Sequence, residues 1–478
     1  MLTFTPITLE HHALLRKYYA GCDYRLCEYS AGTKLMWSLY LRPSFAEAAG
    51  CLIVRNRIDG EWVFDYPVPG PDGDVDAALT AIESYCTDTE TPLVISVVPE
   101  EKAPELLLRW PRLRMNNERN WKDYLYRAED MAAFAGRKYS GQRNHINKFR
   151  KEYPTAKFVP LTGADMPLIE NFWADYEQEF QKTSFNAKRE LAYAKALARL
   201  LPEGWLLGGG LLVEDRLVAM SLAENCGGTL IIHVEKALYS HQGAYPTLVQ
   251  AFAAHFGGDC VYINREDDAG DRGLRTSKLQ YLPVRLAGKL RFEVQCEADR
   301  LREIPTVTTP RLTLTPLEER DEAAYNALCL DDARNRWWGY DYRQDLKGEL
   351  TEDYFLSVAR RDFAARRAVN FAVRLDRQLI GEVVLYRFDW RGGAELGCRI
   401  AAAYAGHGYG TEAFAAALAW GLKGWDLRRV TAKCFRENHP SRHMLAACMD
   451  PAGEDETYFY FEKCIQNEND MHMDILSE

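Results

Sequence analysis

Three alternating glycines mark the stretch of this chain that is best suited to binding an anion. The candidate residues form one run, Ala405, Gly406, His407, Gly408, Tyr409, Gly410 and Thr411. Upstream, Leu396, Cys398 and Ile400 alternate as in a half-buried strand, and apolar residues recur at helical spacing downstream. A glycine loop that leads into a helix binds anions, because its free N–H groups converge and the helix dipole favours negative charge. The alternative is a tight strand-to-helix turn that binds nothing.

A second strand-to-helix junction follows the glycine run. Alternation over residues 429–435 predicts a strand, and Asn438 and Ser441 stand where it gives way to a helix. Together the two junctions resemble the Gcn5-related N-acetyltransferase (GNAT) family. Its acyl-CoA loop reads Gln/Arg-x-x-Gly-x-Gly/Ala, and its next strand ends in Asn-x-x-Ser/Ala. The likeness begins at about residue 309, and residues 309–312 resemble the opening of the branch that acetylates protein N-termini.

The resemblance implies a site for acetyl-CoA (CoA). The glycine loop would hold the pyrophosphate, and the backbone around Ile400 and Ala402 would pair with the pantetheine arm. Asn438 and Ser441 would contact the same arm from the next strand. The implied acceptor is an amine of a small molecule, an amino-acid-like compound or a peptide.

Two positions depart from the family pattern. Ala405 stands where the loop usually has Gln or Arg, and Met449-Asp450 stand where Gly-Phe usually closes the second motif. These departures leave a non-catalytic CoA-binding protein as an alternative to an enzyme.

Acyl transfer to an amine needs a neutral amine and a stabilised leaving thiolate. Glu395 is the candidate base, because it alternates away from Leu396 and would face a cleft; the alternative is a cross-strand ion pair. The family's usual tyrosine acid falls at Leu445 in this chain. Tyr458 and Tyr460 are the candidates to replace it.

An aromatic cluster at residues 337–342 precedes the central strands of this region. We expect Trp337 to pack in the core. Tyr340 and Tyr342 are candidates for lining an acceptor cleft, since their rigid rings carry polar tips.

Charged residues follow buried strands in the earlier part of the chain. The candidate substrate-binding residues there are His233, Glu235, Tyr245, Asn264, Arg265, Asp268 and Arg275. We expect the charged members to converge at one sheet edge and to bind a zwitterionic group, with arginines meeting its carboxylate. The alternative is an internal network of ion pairs, because buried charge is costly unless it is paired.

These motifs, in this order, resemble DUF2156, the soluble relatives of the phosphatidylglycerol lysyltransferase C-terminal domain, over roughly residues 6–294. The resemblance implies two tandem GNAT-like folds, and the lysyltransferase members move an aminoacyl group from tRNA to a lipid head group. The basic stretch 138–151 is either a surface for phosphates or a solvated helix face. The absence of a Gly-x-Gly loop here argues against a second CoA site.

Composition limits the remaining classes. Lys and Arg number 59 and Asp and Glu 69, so the net charge of −10 argues against general nucleic-acid binding. No apolar run reaches membrane-spanning length. The twelve cysteines form no Cys-x-x-Cys pair, which indicates free thiols in a reducing cytoplasm and gives no support to a metal site.

The sequence therefore predicts an α/β (α+β) protein of three GNAT-like folds, with mixed central sheets flanked by helices. The expected domains are residues 1–120, 121–295 and 306–478, with an exposed linker over residues 296–309. The leading hypothesis is an acetyl-CoA-dependent N-acetyltransferase whose N-terminal region selects the amine. The alternative enzyme is an aminoacyl-tRNA-dependent transferase in the N-terminal half, with tRNA as its partner.

Overall fold

The computed structural model describes residues 2–180, 185–338, 342–344, 346 and 348–465. The chain divides into two compact units: Met1–Leu106 with Arg114–Glu293, and Leu107–Leu113 with Val294–Glu478. Three mixed sheets flanked by helices confirm the predicted α/β class. No helix among the described residues combines the length and the apolar character that a membrane span needs.

The first sheet has eight strands. They lie in the order Thr5–Pro6, Ser44–Ala48, Cys51–Ile58, Glu61–Asp65, Val94–Pro99, Lys289–Val294 and Leu113–Asn116, with Val68–Pro69 paired to Cys51–Ile58. Asp59 and Gly60 have φ of 50° and 87°, the left-handed pair that a two-residue hairpin requires. Asp-Gly is a pair that favours this turn, which here joins the strands Cys51–Ile58 and Glu61–Asp65.

The second sheet has seven strands. They lie in the order Arg285–Ala287, Asp123–Arg127, Tyr262–Asn264, Thr229–Ala237, Arg216–Cys226, Leu207–Val213 and Lys157–Leu161. Thr229–Ala237 and Tyr262–Asn264 are parallel and pair only from Thr229–Tyr262 to Ile231–Asn264. His233, Glu235, Arg265 and Asp268 therefore lie beyond the last paired positions of these two strands, and Asn264 lies at the end of the pairing.

The α-helices of the first sheet's region and of the second sheet are His12–Tyr19, Ala31–Met36, Ser38–Leu41, Val75–Asp88, Ala103–Arg109, Ala128–Ala133, Ser140–Glu152, Met166–Glu179, Phe185–Ala198, Ala244–Phe256 and Arg272–Leu279. Val75–Asp88 shows how sequence sets such a helix. Asp74 caps its N terminus by accepting the Ala77 N–H, and Ala78, Leu79, Ile82 and Cys86 form its buried stripe.

The third sheet makes up the second unit. Its eight strands lie in the order Val307–Thr308, Thr313–Pro316, Ala368–Leu375, Gln378–Tyr386, Gly393–Ile400, Arg429–Phe435, Tyr458–Cys464 and Asp450–Glu454. Its α-helices are Glu322–Leu330, Asp332–Asn335, Tyr354–Ala364, Tyr409–Ala419 and His439–Cys448, and a π-helical turn, Trp420–Gly424, continues the fourth of these. Leu396, Phe414, Leu418 and Val430 belong to the core between sheet and helices.

Two central strands of this sheet part from one another. We call Gly393–Ile400 the inner strand and Arg429–Phe435 the outer strand. They run parallel and pair only from Gly393–Arg429 to Glu395–Thr431. Each strand has another neighbour on its far side, paired as far as Ile400 and Phe435 respectively. Beyond Glu395, the inner strand therefore presents backbone N–H and C=O groups to a gap rather than to a ladder.

Residues 296–309 belong to the second unit rather than to an exposed linker. Glu297 and Ala298 are each 2% exposed, and Ala298 is part of the same core as Leu312. Arg112 donates to Glu297 at 2.9 Å from the short segment Leu107–Leu113. Apolar side chains spaced among the charges, such as Leu301 and Val307, also pack on this core, whereas Arg302, Glu303, Thr306 and Thr308 are exposed, so the expected exposure holds only for part of the segment.

Candidate active site

A cleft of about 960 Å³ opens where the inner and outer strands part. The inner strand lines it from Glu395 to Ile400, and the outer strand lines it with Lys433, Cys434 and Phe435. Because the polar edge of a strand is exposed inside the gap, the cleft suits an extended ligand that carries amide groups.

The glycine loop forms one end of the cleft. Gly406 and Gly408 have φ of 81° and 77°, in the region that favours glycine. Gly408 is the N-cap of the helix Tyr409–Ala419 and contributes no side-chain hydrogen bond to it. The first N–H groups of this helix therefore remain available to an anion.

A clamp of three side chains holds the glycine loop. Arg311 donates from Nη1 to the His407 carbonyl at 3.0 Å and from Nε to Glu412 at 2.6 Å. Thr309 donates to Glu412 at 2.6 Å. Burial raises the pKa of Glu412, but these hydrogen bonds outweigh it and the pKa is lowered. Residues 309–312 thus fix the loop, a role for which a family likeness was the only signal in the sequence.

Most of the predicted donor-binding residues line this cleft. They are Ile400, Ala405, Gly406, Gly408, Tyr409, Gly410, Thr411, Asn438 and Ser441. Ala402 and His407 are not among the lining residues. Asn438 uses its Oδ1 to accept the Ser441 N–H at 3.2 Å and so caps the helix His439–Cys448.

Glu395 lines the cleft but is already paired. It accepts from Tyr386 at 2.7 Å and from Arg387 at 2.9 Å, and its side chain is 12% exposed. Both the candidate base position and the cross-strand ion pair named as its alternative are therefore present at this residue. Burial and the Glu395 carboxylate raise the pKa of Tyr386.

The two candidate acids differ in position. Tyr458 lines the cleft and packs against Phe435, with ring centroids 4.7 Å apart. Tyr460 donates to Asp455 at 2.6 Å and is not a lining residue. Leu445 lines the cleft where the resemblance would place a tyrosine.

The cleft also contains a polar network that the sequence did not predict. Arg399 donates from Nε to Glu382 and from Nη1 to Asn335, at 2.5 Å and 2.6 Å. Tyr325 donates to the other oxygen of Glu382 at 2.8 Å, and Trp338 lies over Arg399 with 4.6 Å to the ring centroid. No sequence spacing links Glu382 to Arg399; they meet because their strands pair in this register.

The remaining aromatic candidates are Tyr340 and Tyr342. Tyr342 lines the cleft and packs edge-on against Phe355 at 4.9 Å between centroids. Tyr340 lies outside the described residues. Trp337, expected in the core, instead lines the cleft beside Phe435.

Thiols also line the cleft. Burial raises the pKa of Cys329 and of Cys398 to about 12 in each case. Since the thiolate is the nucleophilic form, neither group is primed to take up an acyl group at neutral pH.

In the first unit, Arg265 pairs with Glu235. Arg265 donates from Nε and Nη2 to one Glu235 oxygen, at 2.9 Å and 2.6 Å, and from Nη2 to Tyr245 at 2.7 Å. The Arg265 and Glu235 side chains are 3% and 10% exposed. Burial lowers the pKa of Arg265, but Glu235 and the surrounding tyrosines outweigh it, so the group stays charged.

Asp268 forms a second, separate group. It is fully buried and accepts from Arg275 at 2.9 Å and 2.8 Å, from Tyr124 at 2.5 Å and from Arg119 at 3.2 Å. Burial raises the pKa of Asp268, but these hydrogen bonds lower it well below its usual range. Among the described residues, no side-chain hydrogen bond or ion pair joins Asp268 or Arg275 to the Arg265–Glu235 pair, although the Arg265 N–H donates to the Tyr124 carbonyl at 3.1 Å.

His233 and Asn264 contact a segment of the same unit, residues 25–33. His233 Nδ1 lies 3.2 Å from Glu266, and its Nε2 lies 3.3 Å from Glu224. Glu224 accepts the Gly32 N–H at 2.7 Å, and Asn264 donates to the Arg25 carbonyl at 2.8 Å. The space beyond the paired part of these strands is thus filled by the chain itself.

A cluster beside this segment has the composition of a metal site. Cys27, Glu28 and Asp267 bring ligand atoms within 4.8 Å of one another. The Lys289 ammonium lies 2.7 Å from Glu28, 3.1 Å from Asp267 and 2.7 Å from Asp123. The lysine supplies the positive charge that these carboxylates need.

Two family models match the chain, one in each unit. The model described as phosphatidylglycerol lysyltransferase, C-terminal, matches residues 23–289, which is more than half of the chain. The chain belongs to this lysyltransferase C-terminal family. The second model, the acetyltransferase (GNAT) domain, matches residues 311–448 and includes the glycine loop and both parted strands. The chain therefore joins a lysyltransferase-type region to a region that matches the GNAT domain model.

Individual relatives cover parts of this arrangement. An uncharacterized protein of Mycoplasmoides gallisepticum is 24% identical over 36% of this chain, and the chain covers 56% of that protein. The uncharacterized N-acetyltransferase YnaD of Bacillus subtilis is 29% identical over 34% of the chain and 90% of its own length. A conserved protein of unknown function from Bacteroides thetaiotaomicron has a solved structure with 29% identity and a TM-score of 0.55, covering 61% of this chain and 99% of that one.

Proposed function

We propose that the GNAT domain transfers an acetyl group from acetyl-CoA to a primary amine. The observation that carries this proposal is the cleft itself. One end has an uncapped helix N terminus behind two left-handed glycines, and the wall has a strand edge without a ladder partner. An anionic pyrophosphate followed by a diamide arm is the ligand that matches this sequence of groups.

The donor fits the residues in order along the cleft. The glycine loop and the first turn of its helix would hold the pyrophosphate. The inner strand between Leu396 and Ile400 would pair with the two amides of the arm, and Asn438 and Ser441 face the same space. The acyl carbonyl then reaches the point near Glu395 where the strands begin to pair.

The amine nitrogen attacks the thioester carbonyl, the C–S bond breaks, and the amine loses a proton. Glu395 is the proposed acceptor of that proton, directly or through a water, and Tyr458 is the proposed donor to the leaving thiolate. The raised pKa values of Cys329 and Cys398 favour direct transfer over a covalent acyl-enzyme.

A transfer assay tests this proposal. The full chain is incubated with acetyl-CoA and a panel of primary amines, including peptide N-termini, and both free CoA and acetylated amine are quantified. We expect equal amounts of the two products. Glu395→Gln should lower kcat by about a hundredfold or more, the range of a lost general base. Tyr460→Phe, which removes a hydroxyl outside the cleft, should leave kcat unchanged.

Two results would contradict the proposal. One is the absence of acetylated product with every amine although the protein is folded. The other is an unchanged kcat in Glu395→Gln, which would assign that residue to the ion pair with Arg387 alone.

A second candidate function concerns the first unit, and the lysyltransferase family match favours it. We propose that this unit binds aminoacyl-tRNA through the helix Ser140–Glu152. Arg137, Lys148, Arg150 and Lys151 are exposed, and none has an acidic partner among the described residues. Such unneutralised cations on one helix and its approach suit phosphates.

Charge reversal on this helix tests the tRNA proposal. In the full chain, Lys148→Glu with Lys151→Glu should weaken binding of aminoacyl-tRNA at least about tenfold and reduce its salt dependence. Lys17→Glu with Lys157→Glu makes the same change of charge elsewhere in the unit and should have a smaller effect. Equal effects of the two pairs would indicate bulk charge rather than a site.

A further inference from the structure

The indole ring of Trp338 lines the cleft beside Gly397. Gly397 lies two residues beyond Glu395, at the start of the gap between the strands. A Cβ at Gly397 would lie 3.3 Å from Trp338 Cη2 and 3.5 Å from Tyr386 Cε1. Glycine therefore allows both rings to sit directly on the inner strand at this level.

The Trp338 ring is held in place. The Arg399 guanidinium lies 4.6 Å from its centroid, and Arg399 is itself fixed by Glu382 and Asn335. A cation held against an indole face by a buried carboxylate is a stable arrangement. Trp338 thus forms a fixed wall, whereas a side chain with only solvent contacts would yield to a ligand.

The position of this wall relates to the acyl end of the donor. The glycine loop lies beyond Ile400, and Gly397 to Ile400 spans roughly 10 Å of extended strand. A donor whose pyrophosphate sits at the loop and whose arm follows the inner strand directs its acyl group toward Gly397, Trp338 and Tyr386. Any chain longer than two carbons would continue into these rings.

We propose that Trp338 is a specificity-determining residue that restricts the acyl group to acetyl. The proposal rests on the proposed function, because it assumes that the cleft binds acyl-CoA with its pyrophosphate at the glycine loop. It names a property of the same site that neither family match describes: the length of acyl chain that the cleft accepts.

Binding titrations without any amine test this restriction directly. The full chain is titrated with free CoA, acetyl-CoA, butyryl-CoA and octanoyl-CoA. We expect the wild-type chain to bind octanoyl-CoA at least about tenfold more weakly than acetyl-CoA. Trp338→Ala should bring the two affinities to within about threefold, and Trp338→Phe, which keeps a ring over Arg399, should admit butyryl-CoA but not octanoyl-CoA.

Trp337→Ala is the matched control. It removes an indole from the adjacent position, where the ring lies 5.9 Å from Phe435 on the outer strand. This variant should retain the wild-type discrimination between acetyl-CoA and octanoyl-CoA. In steady-state kinetics with the same donors, Trp338→Ala should have a higher kcat/KM for octanoyl-CoA than the wild-type chain has.

The outcomes separate this inference from the proposed function. If the wild-type chain binds no CoA, both are overturned. If free CoA binds but wild-type binds octanoyl-CoA as tightly as acetyl-CoA, only the inference fails. It also fails if folded Trp338→Ala still binds octanoyl-CoA at least about tenfold more weakly than acetyl-CoA. If Trp338→Ala does not fold, Trp338→Phe decides. The inference then fails if Trp338→Phe binds butyryl-CoA no more tightly than the wild-type chain does.

Discussion

Arg265 and Glu235 form a buried ion pair between separate stretches of the first unit. Dense charge after a buried strand predicted either a substrate cleft or an internal ion pair, and the local sequence did not choose between them. The structure places the guanidinium against Glu235 and Tyr245, each from a different stretch of chain. The same holds for Glu382 and Arg399, whose pairing depends on the register of neighbouring strands. Residue type and alternation were predictable, whereas partners were not.

The Arg265–Glu235 pair should be a large stabilising contact. Arg265→Ala removes the cation from the buried Glu235 carboxylate and leaves it the Tyr245 hydroxyl at 3.1 Å, so the free energy of unfolding should fall by about 3–5 kcal/mol. Arg216→Ala, which breaks an exposed pair with Asp175 at 2.9 Å, should cost at most about 1 kcal/mol. Urea denaturation of both variants measures the difference. A fully stable Arg265→Ala protein that has lost only substrate turnover would instead support the substrate-cleft hypothesis.

At the scale of elements, periodicity identified the strand, the glycine loop and the helix that follow one another from Leu396 to Leu418. A backbone role for the glycines at 406 and 408 could be predicted, because both residues have positive φ in the loop that leads into the helix. The place where the inner and outer strands separate could not be predicted, because it depends on where their parallel pairing ends, at Glu395. No single strand's sequence records that point.

The clamp on the glycine loop should affect donor binding. Arg311→Ala removes the hydrogen bonds to the His407 carbonyl and to Glu412, so the loop loses its fixed geometry. We expect the Kd for CoA to rise about tenfold, with kcat at saturating donor little changed. Arg320→Ala removes an exposed arginine paired with Glu318 nearby in sequence and should leave the Kd unchanged. An unaltered Kd in Arg311→Ala would show that the loop keeps its geometry without the clamp.

At the scale of the whole molecule, the resemblances predicted both regions and the mixed sheets. The composition of the second unit was harder to predict, because Leu107–Leu113 joins it from far away in sequence. Likewise, residues 25–33 were given no role, yet they fill the space beyond the strands of the second sheet. Contacts of such separation leave no local pattern.

The contacts of His233 with Glu224 and Glu266 should make the first unit's stability depend on pH. Burial alone would lower the pKa of His233. Hydrogen bonds with Glu224 and Glu266 raise it by a larger amount, so the pKa is about 9. Because the folded-state pKa exceeds the unfolded value of about 6.5, the stabilisation is complete below pH 6.5 and is lost as the pH rises through 9. The change is on the order of 3 kcal/mol.

Denaturation of wild-type and His233→Gln chains between pH 6 and 10 measures this contribution. The glutamine side chain carries no charge at any pH, so the variant should be less stable at pH 6 and should lose less stability on going to pH 10. Parallel pH profiles for the two chains would show that His233 does not titrate with folding.

The proposed function requires that the glycine loop binds the pyrophosphate of CoA. Calorimetric titration of Gly408 variants with acetyl-CoA measures this binding. Gly408→Ala and Gly408→Asp both add a Cβ at φ 77°, a conformation that strains Ala at least as much as Asp, but only the second places a carboxylate over the free N–H groups of the helix. We predict that Gly408→Ala binds acetyl-CoA within about tenfold of wild type, and that Gly408→Asp binds at least about a hundredfold more weakly than Gly408→Ala. Equal affinity in the two variants would show that the pyrophosphate does not bind at these N–H groups.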